Sequence, residues 1–288
     1  MESINCIICD SDSHSPFIQV LDRFSSEAFQ IVRCKCEFKY LTPRPEFNEI
    51  SSYYEYDNYD PHRNQKKTFF DKAYTWVQGK ALKWKYSHIS KFIRNRNLLD
   101  IGGGGGEFCL FFQSKGWQVS LQDNSEKARV LSKENNIATY ETLSEMSSQK
   151  FDLITMWHSL EHIHEISKLF MDIDRLICDN GILVIAVPNI DAPERKWFGV
   201  NWAAWDTPRH LYHFNYDQLN KLLLKYGWKI QYSKPMLQDT PYNILLSLKS
   251  NSPLQLISAF FLLLYSFIKV LIRGVNSSSS FMVICKKI

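Results

Sequence analysis

Asp100-Ile101-Gly102-Gly103-Gly104-Gly105-Gly106-Glu107-Phe108 is the stretch that decides the fold of this chain. Leu98 and Leu99 lead into it, and Cys109-Leu110-Phe111-Phe112 follow at helical density. The order is strand, glycine loop, helix. Glycine reaches positive φ and has no Cβ, so a backbone built from it can press against a ligand. A carboxylate closes the strand, and a helix N-terminus turns its free N–H groups toward the same crevice. Such a loop cradles a cofactor. The dinucleotide fingerprint needs glycine at relative positions one, three and six. Its sixth position falls on Glu107, Phe108 or Cys109 in the three available frames, so none fits. A phosphate-binding loop would end in Gly-Lys-Ser/Thr, which is absent. The pattern that fits is acid-x-Gly-x-Gly-x-Gly, on Asp100, Gly102, Gly104 and Gly106. A flexible glycine-rich turn is the plain alternative.

Outward from this loop, apolar strands alternate with amphipathic helices, the mark of an α/β fold with a mostly parallel sheet. Strands are expected at 97–101, 118–122, 138–141, 151–157, 181–187, 228–234 and 281–285. Helices are expected near 107–115, 125–135, 163–178 and 216–226. Cys178-Asp179-Asn180-Gly181 and Lys225-Tyr226-Gly227 read as helix stops. Upstream lies an aromatic and basic stretch, 46–95, with Tyr53, Tyr54, Tyr56 and Tyr59 and a helix expected from Lys67 through Ile93. Residues 1–45 hold Cys6, Cys9, Cys34 and Cys36. The chain therefore divides into 1–45, 46–95 and 96–288.

The 288 residues are 45% hydrophobic and 14% aromatic, enough for a sizeable core. A net charge of +4 with no block of like charges gives no footprint for nucleic acid. The N-terminus has no basic region followed by an apolar one, so no secretory signal is visible. Seven cysteines without such a signal point to thiols or metal in a reducing, cytoplasmic compartment.

The acid and alternating glycines resemble motif I of class I S-adenosylmethionine (SAM) dependent methyltransferases. Asp123 follows the second strand, where the family usually has an acid; an acid there accepts both hydroxyls of a ribose. Asp123 also suits a turn or helix cap. Phe151-Asp152-Leu153-Ile154 running on to Leu160-Glu161-His162-Ile163 is similar to the family's FDxI…LEHI stretch. Glu161 and His162 suit capping and packing there. Gly181 through Pro188-Asn189 is similar to the family's strand ending in Pro-Asn. The matches cover about 97–190. The resemblance implies a Rossmann-like fold with a seven-stranded, mostly parallel sheet of order 3-2-1-4-5-7-6, counted from the strand at 97. It also implies SAM held by Asp100, Gly102, Gly104, Gly106, Asp123 and Trp157, with Trp157 and His158 at a strand end that faces the crevice.

Residues 201–214, Asn-Trp-Ala-Ala-Trp-Asp-Thr-Pro-Arg-His-Leu-Tyr-His-Phe, resemble the family's W…PxHxxxF loop over the active site. In related sugar C-methyltransferases a histidine in a similar stretch is the general base. His210 falls on that histidine, while Arg209 replaces the neighbouring acid and His213 a tyrosine. His210, His213 and His158 are the candidate catalytic groups, since imidazole titrates near neutrality. Ordering the loop is the structural alternative for His210 and His213. Trp197, Trp202, Trp205 and Tyr212 are candidates for an apolar acceptor pocket, or for core.

Cys6-x-x-Cys9 and Cys34-x-Cys36 read as a small zinc ribbon, and the resemblance adds CxxC pairs followed by Pro-Arg-Pro, here Pro43-Arg44-Pro45. Relatives have CxxCG at the second pair; this chain lacks one residue and has Glu37 at the glycine. A zinc on four thiolates would be structural. An apolar helix at about 253–272 is expected between the last two strands. It is short for a span, and a single crossing would prevent the last strand from rejoining the sheet. Residues 254–272 would cover the core, form an oligomer face or touch a membrane surface. The implied activity is methyl transfer to oxygen or carbon of a small molecule, a sugar or a lipid-linked acceptor. A catalytically silent SAM-binding scaffold and an RNA methyltransferase are the alternatives.

Overall fold

A computed structural model of the chain describes residues 1–54, 69–146, 149–250 and 252–288. Tyr56, Tyr59 and the expected helix start at Lys67 lie outside the described residues.

Three strands come first: β1 (His14–Leu21), β2 (Ala28–Cys34) and β3 (Lys39–Leu41). Helix α1 (Phe69–Ile89) follows. The α/β alternation then runs β4 (Asn97–Ile101), α2 (Glu107–Gln113), β5 (Gln118–Gln122), α3 (Glu126–Glu134), β6 (Ala138–Tyr140), β7 (Phe151–Trp157), α4 (Ile166–Leu176) and β8 (Ile177–Pro188). The last part holds α5 (Pro193–Phe198), β9 (Tyr212–His213), α6 (Tyr216–Lys225), β10 (Trp228–Pro235), α7 (Asp239–Ser247), α8 (Pro253–Arg273) and β11 (Ser280–Lys287).

The large sheet has the order β6-β5-β4-β7-β8-β11-β10, which is the expected 3-2-1-4-5-7-6. Only β11 runs antiparallel to its neighbours. The central strands are covered on both faces, as their unbroken apolar runs require. On β4, Leu98 packs into one core and Leu99 and Ile101 into the other. In α4 the buried residues Ile166, Leu169, Phe170 and Ile173 fall on one stripe.

The Cys178-Asp179-Asn180-Gly181 stop is corrected. Helix α4 ends at Leu176 and Ile177 already belongs to β8, pairing with Phe151. Gly181 lies within that strand because of space: a Cβ there would stand 2.6 Å from Ile177 Cγ1.

The N-terminal segment is more than a ribbon. It builds a second, antiparallel sheet, β1-β2-β3-β9, whose last strand comes from the 201–214 loop. Phe38, Tyr40 and Leu41 share one continuous core with Leu99, Ile154 and Leu183 of the large sheet. The expected insertion at 253–272 is α8, and the shorter helix α7 precedes it.

Candidate active site

Four of the five glycines separate into two kinds. Gly102, Gly104 and Gly106 have φ of +69°, +54° and +83°, in the left-handed region that a side chain disfavours. Gly103 is required by a close approach: a Cβ on it would stand 2.6 Å from Leu121 Cδ1 and 3.0 Å from Asp100 Oδ2. The loop therefore lies flat on β5 and presents bare backbone. Gly104 N–H donates to Asp123 Oδ2 at 2.9 Å, and Ser125 N–H donates to Oδ1 at 2.8 Å. Asp123 thus shapes the loop and the start of α3, and Ser125 caps that helix.

Asp100 is buried beneath the loop and accepts 2.5 Å from Thr155 Oγ1, its register partner on β7. Burial pushes its carboxyl up to about 7 against the pull of Thr155 and Lys85. Trp157 and Phe108 form an aromatic wall, with ring centroids 5.2 Å apart. Lys85 of α1 sets its ammonium 3.8 Å from the Trp157 centroid. That wall already holds a cation over its face, so its chemistry suits a sulfonium. Bare backbone, an acid at the second strand and a cation-holding aromatic face together fit a SAM seat.

A second cluster begins one residue further on. His158 is held at φ +54°, a conformation uncommon for a side-chain residue and one that stores strain. Its Nε2 lies 3.1 Å from Asp239 Oδ2 and its Nδ1 3.6 Å from Glu161 Oε1. Burial alone would lower its pKa, but the two carboxylates outweigh it and push it up to about 10. Glu161 is fully buried, and neither of its oxygens accepts a hydrogen bond. Burial would raise its carboxyl, yet His158 and the neighbouring imidazoles hold it below the usual range. His162 and His210 meet edge to face, centroids 4.7 Å apart. His210 Nδ1 lies 2.9 Å from the Ala204 carbonyl, and His162 Nδ1 lies 2.9 Å from the Arg209 carbonyl. A carbonyl can only accept, so Nδ1 of each ring carries a proton, and in the neutral form of either ring Nε2 keeps a lone pair. Ligand atoms of Glu161, His162 and His210 lie within 4.8 Å of one another, a donor set that can also hold a divalent cation.

The 201–214 loop is fastened from outside. Arg209 is fully buried and donates to Asp22 Oδ1 at 2.6 Å and to Asp206 Oδ1 at 3.0 Å. Burial opposes the charge of Asp206, but His210 and Arg209 hold it down at about 2. His213 does not join the cluster of His158, Glu161, His162 and His210. It lies on β9 opposite Lys39, its ring edge-on to Trp205 at 5.0 Å, and burial holds it neutral. Trp202, Trp205 and Tyr212 are buried core, whereas Trp197 is exposed on the outside of α5. The expected pocket aromatics are thus mostly structural. Glu161 and His162, assigned to capping and packing from the sequence, stand beside His158 and His210 instead. The Glu161-His162 pair was the available signal, but its partner His210 is too distant along the chain for local spacing to reveal it.

In the N-terminal sheet, Cys6 Sγ and Cys36 Sγ lie 3.5 Å apart, as do those of Cys9 and Cys34. Asp10 and Glu37 adopt φ of +58° and +72° at the two knuckles. Glu37 takes the left-handed turn that relatives give to glycine. All four sulfurs lie within 4.8 Å of one another, which fits one tetrahedral zinc.

A family model described as a methyltransferase domain matches residues 77–233. A ubiquinone biosynthesis O-methyltransferase from Rickettsia akari is 27% identical over 111 residues, 36% of this chain and 44% of that protein. The same enzyme from Rickettsia canadensis is 30% identical over 112 residues, 36% of this chain and 46% of that protein. The chain spans less than half the length of these curated relatives. A SAM-dependent methyltransferase structure from Archaeoglobus fulgidus superposes with a TM-score of 0.50 at 16% identity, covering 76% of this chain and all of that one. A putative sarcosine dimethylglycine methyltransferase from Galdieria sulphuraria gives 0.50 at 13% identity, over 75% of this chain and 87% of the other. At those identities the structures attest the fold alone. The family match extends over more than half of the chain, and it begins within α1 and includes the glycine cradle and the 201–214 loop. The chain belongs to the methyltransferase-domain family and has the class I SAM-dependent methyltransferase fold.

Proposed function

We propose that this protein transfers a methyl group from SAM to a hydroxyl of a small-molecule acceptor, with His210 as general base. The observation that carries the proposal is the cradle: three left-handed glycines pinned to Asp123 beside a cation-holding aromatic wall. Bound there, SAM supplies an electrophilic methyl on a sulfonium. The glycine backbone and Asp123 orient the nucleoside, Asp123 offering lone pairs to the ribose beyond those Gly104 and Ser125 use. Trp157 and Phe108, in ring contact, would shield a bound cofactor from water. His210 takes the acceptor proton on Nε2, the nitrogen left free by the Ala204 carbonyl. The resulting imidazolium is stabilised by the buried carboxylate of Glu161 and by that of Asp206, 4.0 Å from Nε2. His158, already cationic beside Glu161 and Asp239, balances the buried negative charge and positions Glu161. Oxygen is favoured over carbon as the acceptor atom by the O-methyltransferase relatives.

A second reading is favoured by the buried Glu161 carboxylate, whose oxygens accept no hydrogen bond and gather with the ring nitrogens of His162 and His210. Glu161, His162 and His210 would then hold a divalent cation that lowers the pKa of the acceptor hydroxyl. Activity that survives exhaustive chelation supports the base; activity lost to chelation and restored by a divalent ion supports the cation. The four cysteines are assigned a structural zinc. A silent scaffold would bind SAM without turnover. Product mass analysis after incubation with labelled SAM and fractionated cell extract tests for transfer, and recovery of no labelled product from any fraction would refute it.

A further inference from the structure

Helix α8 is built inside out for a soluble protein. The residues it buries, Ala259, Leu262, Ser266 and Val270, form a narrow stripe of mostly small side chains. Ser266 in that stripe donates to the buried carboxylate of Glu194 on α5 at 3.1 Å. The opposite face carries Leu254, Ile257, Phe261, Leu264, Ile268 and Leu271, all exposed, Leu254 at 80% and Leu271 at 87%. At about 100° per residue these positions, together with exposed Leu256, Phe260 and Tyr265, sweep about half of the helix circumference. The apolar surface continues onto α7 through exposed Leu245 and Leu246. An area of this kind on a soluble surface marks a docking site.

Residues 253–277 are long and apolar enough, by length and composition, to span a bilayer. The fold excludes a span. The buried stripe holds α8 against the protein from Ala259 to Val270, and Met236 N–H donates to the Ser280 carbonyl at 2.9 Å, so the excursion leaves and re-enters the sheet at one place. A second copy pairing helix to helix would cover a narrower seam than the one exposed. A lipid surface would cover all of it. The charge agrees: residues 240–279 contain no Asp or Glu but carry Lys249, Lys269 and Arg273. Lys269 lies over the Tyr265 ring at 5.4 Å, apolar stem and aromatic together, as interfacial residues do.

We propose that the outer face of α7 and α8 docks onto a bilayer containing anionic lipids, with α8 lying in the plane of the interface. The proposal does not depend on the reaction assigned above. It does connect to the site, because Asp239, the first residue of α7, holds His158. The docking face and the reacting cluster are thus joined by one short helix.

Flotation of the full-length protein with phosphatidylcholine vesicles, with and without phosphatidylglycerol, tests this. The protein is expected to float with the anionic vesicles and only weakly with the neutral ones. The double variant Phe261→Asp/Ile268→Asp should lose about 10-fold or more of that binding. Its SAM affinity should stay unchanged, since neither residue touches the cradle. The proposal is overturned if wild type stays with the unbound fraction, or if the double variant floats equally. It is also overturned if wild type is a dimer in solution that the double variant dissolves, which would give the face to a second copy.

Discussion

His158 is the residue where conformation, charge and chemistry meet. It sits left-handed at a strand end and holds two carboxylates. Its folded pKa, about 10, lies above the ordinary histidine value of 6.5. A raised pKa means that the charged ring stabilises the fold. That contribution is full below pH 6.5 and is lost as the pH rises through about 10. NMR titration of the imidazole should therefore show His158 still protonated at pH 8, and Asp239→Asn should bring its midpoint down toward 6.5. A wild-type midpoint at the ordinary value would break the assignment of a cationic His158. His210→Ala should leave SAM affinity near wild type while cutting turnover about 100-fold or more; full turnover in this variant would remove His210 as the base. At this scale the sequence was informative about the cradle and poor about the second cluster. Asp100, the alternating glycines and Asp123 are neighbours in local patterns, and the left-handed φ at Gly102, Gly104 and Gly106 explains the alternation. Gly103 needed coordinates, because its reason is Leu121 on the next strand. His213, which stands where the family has a tyrosine, lies on β9 and apart from His210.

Among elements, the 201–214 loop and the N-terminal sheet depend on each other. Arg209 spans them, its guanidinium shared between Asp22 after β1 and Asp206 in the loop. Removing one member of a buried ion pair strands the others, a loss of about 3–5 kcal/mol. Arg209→Met should show that loss in denaturant unfolding and should also weaken turnover, since His210 follows directly on Arg209. An effect below 1 kcal/mol, about the value of a surface pair, would mean that the ion pair does not fasten the loop. The parallel strands were legible because each is an apolar run between helices. The N-terminal sheet was not, because β3 and β9 have only three and two residues and pair across most of the chain. The end of α4 was misread because Cys178-Asp179-Asn180-Gly181 imitates a helix stop, while pairing of Ile177 with Phe151 overrides the local signal.

The whole molecule is a class I methyltransferase sheet that carries a cysteine-rich antiparallel sheet and an apolar pair of helices, α7 and α8. The cysteine cluster should contain one zinc per chain by elemental analysis, and Cys34→Ser should lower both zinc content and thermal stability. Metal-free protein with unchanged stability would show that the four thiols close the sheet alone. Strand order followed from the family resemblance, and the place of the single helix expected at about 253–272, between the last two strands, was readable from the chain, whereas α7 was not. The outward-facing polarity of α8 was not, because composition does not say which face packs. The central claim is that the glycine cradle holds SAM, and calorimetric titration of SAM into the protein tests it most directly. The account predicts saturable binding of one SAM per chain, strongly weakened in Asp123→Ala, whereas absence of binding up to millimolar SAM would contradict it.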